Sequence, residues 1–291
     1  MARSLKTNTS TLIGLVVPSM TNSMYAEVAE SVVRHAERRG YTVMMSVTKR
    51  DPKIELKVVN TMIDHRIAGL LMSPSDPDAM ASRAALEFGV PYVEMLNRGA
   101  STACDVFEAD NRRGARMAVE HLVALGHRSI AYIGGLPNST GLDRREGYRE
   151  ALADTGTAFV ADLSASGQYT REGGAAACEQ LLANGQRFSA IFCASDLMAY
   201  GAMDALAAHK ISVPDEMSIV GFDDMSTSSL PGIDLTTVSF MPMALAERAI
   251  ERLISAIETP STITESIHDV ARCRLVTRSS SAQITSEALS E

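Results

Sequence analysis

VALGHRSIAYIGG, residues 123–135, decides the fold of this chain. It passes from the end of an amphipathic segment through a glycine and a polar turn into an apolar strand. ERRGYTVMMSV (37–47) repeats that order earlier in the chain. Upstream of Gly40, the residues Tyr25, Val28, Ala29, Val32, Val33 and Ala36 recur at helical spacing. Ala115, Ala118, Val119 and Leu122 do the same before Gly126. Both glycines stand where a helix ends in a left-handed residue, a conformation that costs glycine least. Strands are expected at 12–17, 42–47, 68–73, 91–96, 129–135, 190–195 and 218–223. Several are apolar on both faces, as strands of a parallel sheet covered by helices must be. The reading is α/β, with two similar doubly wound parallel-sheet lobes of five or six strands each. No Pro/Ser-rich linker divides them, so the chain is expected to cross between lobes more than once.

The totals narrow the function. The 291 residues are 46% hydrophobic and 21% charged, an ordinary globular composition. No run approaches the roughly 18 apolar residues that span a bilayer. The net charge of -8 argues against this chain by itself gripping nucleic acid, which needs a basic stripe. Cys104, Cys178, Cys193 and Cys273 are scattered without a CxxC pair and read as reduced, mostly buried thiols of a cytoplasmic protein. The opening MARSLKTNTSTLIGLVVP is basic and then apolar, but its apolar core is too short for a secretion signal and Pro18 closes it.

Catalytic patterns are missing. There is no GxGxxG after the first strand, GLPNSTG (135–141) lacks the lysine of a phosphate loop, and neither GxSxG nor HExxH occurs. The six histidines sit singly and read as surface or capping residues rather than metal ligands. Cys193, inside an apolar strand, reads as a core thiol. No catalytic residue, cofactor or metal site is expected.

Four stretches together resemble the lactose-repressor (LacI/GalR) family of transcription regulators. They are IGLVVPSMTNSMYAEV (13–28), ADNRRGARMAVEHLVALGHRSIAYIGG (109–135), DRREGYREAL (143–152) and AIFCASDLMAYGAMDAL with VPDEMSIVGFDD (190–224); PGIDLTTV (231–238) adds a fifth. The resemblance implies a periplasmic-binding-protein-like core of two lobes joined by three crossovers, near 111–114, 238–242 and 266–272. Residues 11–112 plus 241–268 would form the N-terminal lobe, and 113–240 plus 269–280 the C-terminal lobe. Residues 1–10 resemble the end of the family's hinge, which follows a helix-turn-helix headpiece. Operator DNA would then be bound only through a headpiece this chain lacks. Residues 281–291, polar and aperiodic, are expected to be a disordered tail.

In open α/β sheets ligands bind beyond the carboxyl ends of strands. Asp223 ends one strand, and Arg144 begins the helix after another. The pair suits a sugar, sugar acid or purine-like effector, because carboxylate and guanidinium bond adjacent polar groups in a fixed geometry. Their positions also match those where the family holds effector, with Thr140 just upstream. A purely structural ion pair is the alternative. Tyr25 fits a core stripe, yet it and Tyr169 match family positions where rings pack against effector. Ser195 reads as a helix N-cap that can also face ligand, and Ser75 lies in the loop after strand 68–73. Asn22-Ser23-Met24-Tyr25 and Ser239-Phe240-Met241-Pro242 depart from the family pattern, so no particular effector carries over.

The resemblance implies a ligand-responsive transcription regulator acting as a repressor, non-enzymatic, cytoplasmic and homodimeric. Effector binding would shift the population of lobe arrangements. A free-standing solute-binding receptor is the first alternative and would need a signal or lipid anchor. A cytoplasmic sugar or nucleoside enzyme is the second and would need an acid/base motif.

Overall fold

The computed structural model of the protein describes residues 10–75, 80–100, 104–157, 159–259 and 265–284. The hinge expected at 1–10 lies outside them except for Ser10. The chain forms two units: one takes in the described residues of Met1–Glu108 and Pro242–Ala271, the other those of Ala109–Met241 and Arg272–Glu291. The chain therefore passes between units three times.

In the first unit the strands are β1 (Leu12–Val17), β2 (Thr42–Val47), β3 (Gly69–Met72), β4 (Tyr92–Met95), β5 (Asp105–Ala109) and β11 (His268–Ala271), in the order β11-β5-β4-β3-β1-β2. Its helices are α1 (Ser23–Arg38), α2 (Pro52–Asp64), α3 (Met80–Glu87) and α8 (Pro242–Glu258). The four core pairings are parallel. Asn22 caps α1 by accepting from Met24 N at 3.0 Å, and Val28, Ala29, Val32 and Ala36 bury one stripe. Helix α8 lies on α1, β3 and β4, and α2 packs with α3. Sandwiched between helices, β3 and β4 are buried along their whole length.

The second unit repeats the scheme with β6 (Ile130–Gly134), β7 (Ser164–Ser166), β8 (Ala190–Cys193), β9 (Ser218–Phe222), β10 (Thr236–Ser239) and β12 (Arg274–Val276), in the order β12-β10-β9-β8-β6-β7. Its helices are α4 (Asn111–Ala124), α5 (Ser139–Asp154), α6 (Arg171–Ala183) and α7 (Asp196–Ala208). Only the β10–β12 pairing runs antiparallel among those described. Within each sheet the first five strands follow the doubly wound order 2-1-3-4-5, which places a topological switch point between β1 and β3 and another between β6 and β8.

Several expectations are corrected. β5 was not anticipated because DVFEA looks too charged for a buried strand. Asp105 is in fact neutralised by Arg252 (2.6 Å) and Glu108 by Arg98 (2.6 Å). The first passage falls between residues 108 and 109, since Asp110 caps α4 by accepting from Arg113 N at 3.0 Å and so belongs to the second unit. The third falls after Ala271, inside the expected 266–272 but beyond the lobe boundary expected at 268, because β11 sits beside β5. Of the tail expected at 281–291, residues 285–291 lie outside the described ones, and 281–284 are docked rather than disordered. Ala282 N donates to Ser218 Oγ (3.1 Å) and Ile284 N to Leu125 O (2.9 Å). Polar hydrogen bonding holds this segment, which apolar periodicity cannot reveal. His127, expected at the surface, is buried there between Ser189 (2.8 Å) and Ser218 (3.0 Å).

Helices α6 and α7 meet backbone to backbone. A Cβ on Gly201 would overlap Arg171 O, and one on Gly174 would overlap Met198 O. Gly201→Ala should cost about 1–3 kcal/mol by overpacking and lower the unfolding midpoint by roughly 2–10 °C. Thermal unfolding followed by circular dichroism checks it; an unchanged midpoint would mean the helices have room to spare.

Candidate functional site

The switch point of the second unit is built by two loops. After β6 the chain runs through Gly134 and Gly135 to Asn138, which caps α5 by accepting from Gly141 N at 2.9 Å. Thr140 and Arg144 then fall on one face of α5, one turn apart, and both are buried. After β8 the chain enters α7 through Ala194 and Ser195. Ser195 is fully buried and its Oγ accepts from Met198 N at 3.3 Å, so in this structure it works as the helix cap.

Arg144 is the centre of the site. Its Nε donates to Asn111 Oδ1 (2.8 Å), and its Nη1 donates to Ala194 O (2.6 Å) and Asp223 Oδ1 (3.1 Å). Its guanidinium carbon stands 3.6 Å over the Phe222 ring, a cation–π stack. Nη2 and the second Asp223 oxygen make no hydrogen bond among the described residues. Asp223 and Asp224 leave β9 with φ of +113° and +52°, a backbone that aspartate tolerates better than most residues. Asp224 is held by Arg278 Nη2 at 2.8 Å.

That turn is pinned from behind by Asp196, which sequence reasoning missed. Its Oδ1 accepts from Thr237 Oγ1 (2.5 Å), and its Oδ2 accepts from Met225 N (2.8 Å) and Ser228 Oγ (2.5 Å). Gly221 leaves the space for it, since a Cβ there would run into the Asp196 carboxylate. Burial, with the charge of Asp223 added, pushes the Asp196 carboxyl up to about 7. Burial pushes Asp223 up to about 6, outweighing the Arg144 charge and hydrogen bond that favour ionisation. An aspartate at the first position of a helix looks like ordinary helix chemistry, so nothing in the residue pattern singles out Asp196.

The other expected residues fall into both units. Tyr169 lies in a left-handed turn before α6 (φ +58°), and its ring covers Gly135, where no Cβ would fit. In the first unit, Tyr25 is buried in the first turn of α1 beyond β1. Ser75 follows β3, and its N–H donates to Glu55 Oε2 at 2.7 Å. Tyr25 and Ser75 thus flank the first unit's own switch point. Arg144 and Asp223 are in direct contact, with Thr140 a turn before Arg144. Asn111 and Phe222, not singled out from the sequence, complete the contacts of Arg144. Among the described residues no group of three His, Cys, Asp or Glu is arranged to hold a metal ion.

Comparisons with known proteins agree with this architecture. A family model described as a periplasmic binding protein-like domain matches residues 119–281. The chain is 30% identical over 258 residues to the HTH-type transcriptional repressor PurR of Haemophilus influenzae, covering 88% of this chain and 77% of that protein. It is 32% identical over 255 residues to the HTH-type transcriptional regulator GalR of Escherichia coli, covering 86% and 73%. Among solved structures, a complex of the transcriptional regulator CelR with cellobiose superposes with a TM-score of 0.86 at 26% identity, covering 96% of this chain and 89% of that one.

The two raised carboxyls have a testable pH signature. Each holds its proton more tightly in the folded chain than at the ordinary value of 3.8. The folded state therefore binds more protons than the unfolded one between about pH 4 and 7, and their contribution to stability falls as pH rises through that window. Asp196→Asn removes one such group. The stability difference, wild type minus Asp196→Asn, should shrink between pH 5 and pH 7.5 in urea denaturation. A difference that grows with pH contradicts the assignment.

Proposed function

The chain belongs to the LacI/GalR family of transcription regulators, and on that premise we propose that it is a repressor whose effector is gripped by Arg144 and Asp223. The observation that carries this reading is the one-point contact between the two side chains at the second unit's switch point. A buried ion pair is a poor way to gain stability, because desolvating both charges offsets their attraction. A pair joined through a single nitrogen and a single oxygen keeps the second atom of each for a ligand. Thr140 and Tyr169, at the same end of the sheet, supply a hydroxyl and an apolar ring face.

The effector we infer is a small sugar or sugar-like molecule, supported by the cellobiose complex among the structural relatives. Effector occupancy changes the balance between conformations that differ in affinity for operator, so binding at one site is read at the other. Contact with operator DNA is assigned to a helix-turn-helix headpiece and not to this core, whose chain carries a net charge of -8. We assign the protein to the cytoplasm as a homodimer with no catalytic step of its own. No helix of the described residues is long and apolar enough to cross a membrane.

Because both partners are buried, truncating Asp223 to alanine would strand a guanidinium, so the informative change is the isosteric Asp223→Asn. It retains an acceptor for Arg144 and removes the charge. Losing charge-assisted bonds of about 1.5–3 kcal/mol should weaken effector binding by roughly ten- to a hundredfold. Arg144→Lys should weaken it similarly, since an ammonium cannot reproduce the planar fork. Titration calorimetry with a sugar that stabilises the wild type is the measurement. Unchanged affinity in folded Asp223→Asn would leave the pair a structural one.

A further inference from the structure

Asn111 is the first residue of α4 and is almost completely buried. Its orientation is fixed by chemistry. A guanidinium only donates, so the atom 2.8 Å from Arg144 Nε must be the amide oxygen. The amide nitrogen is consequently turned elsewhere, and Nδ2 is buried with no hydrogen-bond partner among the described residues. Such a donor is costly to leave unmade, and buried side-chain donors in folded proteins are nearly always matched. The oxygen and nitrogen of an amide are about 2.2 Å apart, which follows from bond lengths of roughly 1.2 and 1.3 Å. Nδ2 therefore lies within roughly 5 Å of Arg144 Nε, whose one hydrogen is already used, and within roughly 7 Å of the free Nη2, a span that two neighbouring ligand oxygens at about 2.9 Å from each donor can bridge.

Three polar atoms of this hydrogen-bonded cluster are thus left without a partner among the described residues. Two are donors, Asn111 Nδ2 and Arg144 Nη2, and one is an acceptor, Asp223 Oδ2. A pair of adjacent hydroxyl groups satisfies such a set, because hydroxyls accept from the donors and one of them gives its own hydrogen to the carboxylate. A carboxylate or phosphate only accepts, and it would meet Asp223 as a like charge. The two arginines closest to that carboxylate are already taken up by acceptors. Arg144 is matched by Asp223, while the neighbouring Arg278 is taken up by Asp224 at 2.8 Å and Leu235 O at 2.7 Å.

Resting on the effector site proposed above, we infer that Asn111 is its third hydrogen-bonding arm. Nδ2 donates to an effector hydroxyl adjacent to the one held by Arg144 and Asp223, so the site takes neutral polyhydroxylated sugars and rejects their carboxylate and phosphate derivatives.

Asn111→Asp separates this role from simple support of Arg144. The aspartate keeps an oxygen for Arg144 Nε but replaces the Nδ2 donor with a second acceptor. The intact chain and its Asn111→Asp and Asp223→Asn variants are titrated calorimetrically with D-ribose, D-glucose, D-galactose and cellobiose. D-gluconate and glucose 6-phosphate serve as anionic counterparts. The wild type should bind at least one neutral sugar, with the anionic probes at least tenfold weaker. Asn111→Asp should lose tenfold or more for that sugar while its melting midpoint is maintained. If Asp223→Asn weakens binding and folded Asn111→Asp does not, the role of Asn111 is overturned and the effector site stands. If Asp223→Asn also binds normally, the site itself is misplaced. Binding of no neutral sugar, or tighter binding of an anionic probe, also overturns the inference. Should Asn111→Asp not fold, Asn111→Ala is titrated with the bound sugar and its single-deoxy analogues. Removing the contacted hydroxyl should cost the wild type tenfold and the alanine variant nothing; equal losses in both overturn the assignment.

Discussion

The buried guanidinium of Arg144 is the constraint on which the carboxyl end of the second unit's sheet depends. It must be satisfied on several sides at once, and the partners come from separate parts of the chain: Asn111 at the start of α4, Ala194 O beyond β8, and Asp223 and Phe222 at the end of β9. Each of those segments is held where it is partly by the need not to leave a desolvated cation unmatched. The result is a rigid corner at the carboxyl edge of the sheet, the edge at which doubly wound folds bind ligands.

The corner is stiffened further by a second buried carboxylate. Asp196 accepts three hydrogen bonds and ties the segment carrying Met225 and Ser228 to the first turn of α7 and to Thr237 of β10. The left-handed residues Asp223 and Asp224 lie just before that anchored stretch. Backbone strain of this kind persists only where the surroundings over-determine it. The surroundings here are polar, and their cost appears as the raised proton affinity of both aspartates. Stability has been exchanged for a fixed geometry.

How much of this the sequence disclosed follows from the physics of each element. The parallel strands were legible because burial on both faces demands apolar runs such as LIGLVV and AIFC. The helices were legible through their stripes and glycine stops. β5 was not, because its acids are neutralised by arginines outside the strand, one of them Arg252 from far along the chain, and the tail was not, because serines rather than apolar residues dock it. In the site, Arg144 and Asp223 stood out by their places at element ends and by resemblance. Asn111, Asp196 and Phe222 did not. Their significance lies in what they touch, and a cap residue or a core phenylalanine looks the same in sequence whether or not a guanidinium lies against it.

The division of the chain has a consequence for its synthesis. The second unit is nearly continuous, lacking only β12 and the docked tail once β10 has been made. The first unit is not. The face of β3 and β4 that α8 covers, including Gly69 against Leu253 and Ile257, stays bare until residues 242–258 leave the ribosome. The half that begins first is therefore completed only after the other half has been translated. During that interval its apolar sheet face is the part of the nascent chain most in need of shielding from aggregation.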